Sequence, residues 1–145
     1  MDRGGPELRV LSGAVIAAAI DVHRQLGPGF TESVYEEALS VELAERRMPF
    51  ERQKAFEVLY RGKIVGEGRT DFVIDRQLVV ELKAVDSIVA VHRAQVLSYL
   101  KALGLSLGLL INFKVDALRT GVHRIIRSDP SLSSAPLCSS APLRS

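Results

Sequence analysis

The stretch from Leu105 to Phe113 is an almost unbroken apolar run, and it constrains the fold more than any other part of the chain. A run of this length, closed off upstream by Gly104, reads as a strand buried on both faces. Such a strand belongs at the centre of a sheet. The rest of that sheet is found upstream, where the pattern from Phe50 to Ala84 follows the two-residue period of extended chain. Turn signals at Arg61-Gly62-Lys63 and around Asp75-Arg76 divide it into an antiparallel three-strand meander over Glu51 to Tyr60, Ile64 to Ile74 and Leu78 to Ala84. Gly121 to Arg127 adds an edge strand.

Three helices complete the pattern. The first runs from Glu7 to Leu26 and is stopped by Gly27-Pro28-Gly29, where proline cannot continue the hydrogen-bond ladder. Thr31 stands as N-cap of the second, Glu32 complements its dipole in the first turn, and Met48-Pro49 ends it after Arg47. The third spans Ile88 to Leu103. Together the elements predict an α/β fold: a mixed central sheet, an antiparallel meander plus further strands, flanked by helices.

At 145 residues, 47% hydrophobic and 25% charged, the chain has the composition of one globular domain, expected over residues 1–127. The single cysteine, Cys138, excludes an internal disulfide and a thiolate zinc site. The 19 basic and 17 acidic residues leave a net charge of +2, too small to argue nucleic-acid binding by itself. Val10 to Ile20 is apolar, but acidic Asp2 and Glu7 precede it and the helical pattern runs on past it, so it reads as part of an amphipathic helix rather than a secretory signal. The stretch is also too short to span a bilayer, and a cytoplasmic protein with no membrane partner is expected. Residues 128–145 are rich in Ser and Pro and repeat Ser-Ser-Ala-Pro-Leu, a composition that predicts a disordered tail. Cys138 lies inside it.

The chemistry concentrates at the second hairpin. Glu81 and Lys83 are two apart on a strand and share a face, opposite Leu78, Val80 and Leu82. With a three-residue loop Ile74 pairs with Leu78, and Asp71 then faces Glu81 with Cβ atoms about 5 Å apart. Facing carboxylates repel without a cation between them, and the geometry suits Mg²⁺, or Mn²⁺, which takes one or two carboxylates. Lys83 beside such an ion could orient the attacking water in phosphodiester hydrolysis. The alternative for the same residues is an exposed ion-pair ladder on a solvated face.

Two helices add to the set. On a helical wheel Glu32 falls between Leu39 and Leu43 and is expected to face inward, whereas Glu36, Glu37 and Glu45 fall on the solvated side. Glu32 reads equally as a complement to the helix dipole. On the third helix His92, Gln95 and Tyr99 share one face, where the glutamine and tyrosine could hold a water or phosphate oxygen and the histidine a nucleic-acid backbone. His23 and His123 are isolated and read as structural.

This order of elements resembles the PD-(D/E)XK nuclease superfamily, and within it the GxxExxY family, whose motif stands here as Gly29-Phe30-Thr31-Glu32-Ser33-Val34-Tyr35. Glu81-Leu82-Lys83, Gln95-Val96-Leu97-Ser98-Tyr99 and Gly108 to Phe113 follow in the order expected of that family. The resemblance implies a restriction-endonuclease-like core with a metal held by Asp71 and Glu81, Glu32 as an additional carboxylate, and Lys83 as catalytic lysine. Gln95 and Tyr99 match the Gln-x-x-x-Tyr feature of the exonuclease-like branch. One departure is Thr70, which stands where the family pattern has proline before Asp71.

The expected function is hydrolysis of phosphodiester bonds in nucleic acid, DNA first, by a Mg²⁺-dependent nuclease. The rival reading is a catalytically silent module of the same fold that binds nucleic acid or a protein partner. A core this small has little surface to spare for target recognition, so a homodimer or a partner subunit is also expected.

Overall fold

Residues 6–128 are described by a computed structural model of the chain. The tail beyond Ser128, with Cys138, lies outside the described residues. The elements are α1 (Pro6–Leu26), α2 (Glu32–Glu45), β1 (Phe50–Tyr60), β2 (Lys63–Ile74), β3 (Leu78–Lys83), α3 (Ala90–Leu103), β4 (Leu107–Asn112), a short 3-10 turn (Leu118–Gly121) and β5 (Val122–Ile126). The strands form one sheet in the order β1-β2-β3-β4-β5. All neighbours are antiparallel except β3 and β4, which run parallel and are joined through α3. The mixed sheet and flanking helices are those of a restriction-endonuclease-like α/β core.

Side-chain alternation on β3 and β4 builds two cores, one on each face. Leu78, Val80 and Leu82 with Leu109 and Ile111 face α1 and α2, meeting Val15, Ala18, Leu39 and Leu43. Val79 and Leu110 face α3, meeting Val96 and Leu100. All of β4 is buried, as its apolar run requires. Gly108 lets α3 lie close, since a Cβ there would stand 2.7 Å from a methyl of Val96.

Local signals act mostly where the sequence puts them. Gly104 closes α3 in the left-handed region, φ 72°, and its N–H reaches the last carbonyls of the helix. Thr31 occupies the N-cap of α2 but makes no capping bond; its hydroxyl pairs with that of Ser33 instead. The inward orientation expected for Glu32 does not hold, for the residue is exposed. By angle it belongs to the stripe of Tyr35, Leu39 and Leu43, but it lies in the first turn, beyond the end of the core. A helical wheel carries no coordinate along the axis.

Candidate active site

The hairpin β2–β3 pairs as the three-residue loop dictates, with Ile74 opposite Leu78, Val73 opposite Val79 and Phe72 opposite Val80. The ladder stops there, one residue short of Asp71 and Glu81. From that point the two side chains take over the backbone donors. The Asp71 N–H donates to Glu81 Oε1 at 3.0 Å, and the Leu82 N–H donates to Asp71 Oδ2 at 2.8 Å. Thr70, fully buried, donates its hydroxyl to the same Glu81 oxygen at 2.9 Å. Thr70, in the position where the expected pattern has proline, therefore orients the Glu81 carboxylate.

Both carboxylates are short of compensating charge. Burial, then the neighbouring Asp71 charge, pushes Glu81 up to about 7. Burial also raises Asp71, reinforced by the charges of Glu36 and Glu32. Lys83 is half-buried on the same face and only partly offsets the excess. Its ammonium lies 3.5 Å from Gln95 Oε1 across to α3. Tyr99, one turn further along α3, is held protonated by burial and by the charges of Glu81 and Asp71, and its ring lies 5.0 Å from that of Phe56. Asp71, Glu81, Lys83, Gln95 and Tyr99 are thus gathered between the parting hairpin and α3.

Glu32 stands at the rim, where its carboxylate accepts the Ala84 N–H at the end of β3, at 3.4 Å. Among the described residues no group of three His, Cys, Asp or Glu side chains is close enough to enclose an ion. His92 acts locally, for its Nδ1 accepts the Val89 N–H at 3.0 Å and closes the first turn of α3. The loop between β3 and α3 is fastened by buried Asn112, which exchanges hydrogen bonds with both backbone groups of Val85.

The structure also brings in residues that the sequence pattern does not single out. Glu36, expected on the solvated side, has a side chain only 15% exposed and is bound by Arg52 and Gln53. Gln53 in turn donates to Asp71 Oδ1 at 3.2 Å. Spacing signals neither, because the contact joins a helix to a strand through a kink in β1. Tyr35, the last residue of the Gly29 to Tyr35 motif, is fully buried and ties the loop before α2: its hydroxyl accepts the N–H groups of Gly29 and Phe30 and donates to the Gly27 carbonyl. That loop leads directly into Glu32.

The sequence model of the PD-(D/E)XK nuclease superfamily matches residues 9–125, which cover every element of the site. The chain belongs to the PD-(D/E)XK nuclease superfamily. Nucleases of this superfamily typically use divalent metals, which accords with a buried carboxylate pair short of positive charge. The fold is similar to that in the crystal structure of SSO0001, at 20% identity and a TM-score of 0.53, over 70% of this chain and 52% of that one. The PD-(D/E)XK chain described here thus spans about half the length of that neighbour, and the likeness shows the fold. Among curated proteins none matches it significantly in sequence.

Proposed function

We propose that this chain is a divalent-metal-dependent nuclease of the GxxExxY branch that hydrolyses phosphodiester bonds in DNA, with Mg²⁺ or Mn²⁺ as its ion. The observation that carries the reading is the Asp71–Glu81 pair: two carboxylates, both raised by burial, at the point where the hairpin opens. A hard cation there would favour the charged form of each, and one or two protein carboxylates suffice for Mg²⁺. Thr70 and the two backbone N–H groups already fix how each carboxylate is turned. Glu32, at the end of β3, would assist through water.

When bound, the ion would act as a Lewis acid and lower the pKa of a water. The protein's own groups supply the rest. Lys83, steadied by Gln95, presents a positive charge to the phosphate and orients the incoming water. Tyr99 keeps its proton beside the carboxylates and can donate it in a hydrogen bond to a phosphate oxygen without losing it. His92, with Nδ1 held by Val89, serves at most as a contact to the nucleic-acid backbone from the first turn of α3.

The test is cleavage of single- and double-stranded DNA by the purified protein in Mg²⁺ and in Mn²⁺, with Asp71→Asn alongside. Asparagine can still accept the Leu82 N–H, so the hairpin is preserved. The variant is expected to lose at least about 100-fold in rate, roughly the loss when a group acting directly on the transition state is removed. Cleavage at the wild-type rate would refute the assignment, and metal binding without turnover on any substrate would favour the silent binding module.

A further inference from the structure

Of the five non-glycine residues with positive φ among those described, Arg47, Arg61, Asp75 and Arg76 lie in turns, and Gln53 alone lies inside a strand, at φ 50°. Glutamine gains nothing intrinsic from the left-handed region, and a strained conformation of this kind persists only where its surroundings enforce it. Arg52 pairs with Phe72 and Lys54 with Thr70, so Gln53 stands directly across from Asp71 while itself dropping out of the ladder. The ribbon turns over at this point. Phe50 packs on Phe72 in the core under α1 and α2, while Phe56 lies on Tyr99 of α3, although residues six apart share a face in a regular strand.

The kink aims the Gln53 amide at two carboxylates at once. Its Nε2 lies 3.2 Å from both oxygens of Glu36 and 3.2 Å from Asp71 Oδ1. All of these are acceptors, so the NH₂ end must be the one that faces them. Arg52 clamps Glu36 from the other side, at 3.0 Å, and fixes the anchor. Asp71 is then held at both ends, Oδ2 by the backbone of Leu82 and Oδ1 by Gln53.

We infer that Gln53 is a positioning residue for the metal site, holding the Asp71 carboxylate in place through a strained backbone and coupling it to Glu36 on α2. This rests on the reading of Asp71 and Glu81 as metal ligands. Partners that orient a ligating carboxylate commonly change metal affinity by about 10- to 100-fold, and exposed Gln53 belongs at the lower end.

The experiment titrates Mn²⁺ into wild type, Gln53→Gly and Gln53→Met, following free Mn²⁺ by electron paramagnetic resonance and melting temperature in the absence of metal. Glycine accepts the positive φ at no steric cost, whereas methionine keeps both the length and the strain, and both lack the amide. The two variants should move apart in melting temperature, glycine at or above wild type and methionine below it. Both should bind Mn²⁺ about 10-fold more weakly. Wild-type affinity in Gln53→Gly, or an affinity that merely follows melting temperature, would overturn the positioning role. If Gln53→Met does not fold, Gln53→Gly alone decides. No Mn²⁺ binding by wild type would instead bring down the metal-site reading itself, and the role of Gln53 with it.

Discussion

Glu81 links the site to stability. Its folded-state value of about 7 lies above the ordinary glutamate value of 4.5, so the native protein holds a proton that the unfolded chain has released between those two values. The stabilisation from this group is complete below about pH 4.5 and is lost as pH rises through 7, a change on the order of 3 kcal/mol at roughly 1.4 kcal/mol per unit. Glu81→Gln has nothing to ionise. Without divalent metal it should be the more stable protein at pH 8 and lose that advantage towards pH 4.5, as read by urea denaturation across pH. A stability difference independent of pH would contradict the buried, uncompensated carboxylate. Strand period and loop length bring Asp71, Glu81 and Lys83 near one another, because they set the register up to Phe72 and Val80. The side-chain bonds that replace the ladder beyond that point are not legible from sequence. Nor are Glu36 and Gln53, since their meeting depends on a backbone angle that glutamine does not advertise. The orientation of Glu32 is not legible, because it lies beyond the end of the core that the helical wheel assumes.

Elements hold these residues through a few close contacts. Tyr35→Phe would leave the Gly29 and Phe30 N–H groups and the Gly27 carbonyl without their partner, at a cost on the order of 2 kcal/mol. The loop before Glu32 should loosen with it, raising amide exchange at residues 29 and 30 before the rest of α2 responds. At Gly68 a Cβ would stand 2.4 Å from the ring of Phe56, which itself rests against Tyr99. Gly68→Ala is expected to destabilise by about 1–3 kcal/mol and to lower cleavage further by displacing Tyr99. Wild-type stability in that variant would mean that Phe56 moves freely. The elements themselves are largely readable, since β4 announces itself by hydrophobicity and α1 and α3 by their glycine stops. The N-cap of α2 is readable as a position but not as a bond, for a threonine hydroxyl can choose a neighbouring side chain over the backbone.

For the molecule as a whole, parallel pairing of β3 with β4 puts the Lys83 end of β3 beside Asn112, and Asn112 holds the loop that leads to α3. The site is therefore set by the sheet's topology, with the hairpin's opening on one side and α3 on the other. No helix among the described residues is long and apolar enough to cross a membrane. With a net charge of only +2, the proposed contact with DNA is expected to be local to the site face. The logarithm of the binding constant should then fall with the logarithm of salt at a slope shallower than about −3, the value for some three phosphates. The most direct test of the carboxylate pair as a metal site is calorimetric titration of Mg²⁺ and Mn²⁺ into wild type and Asp71→Asn, with melting temperature followed in parallel. Wild type should bind and gain melting temperature by mass action, and the variant should do neither. Equal binding by the two proteins, or none by wild type, would contradict a metal held between Asp71 and Glu81.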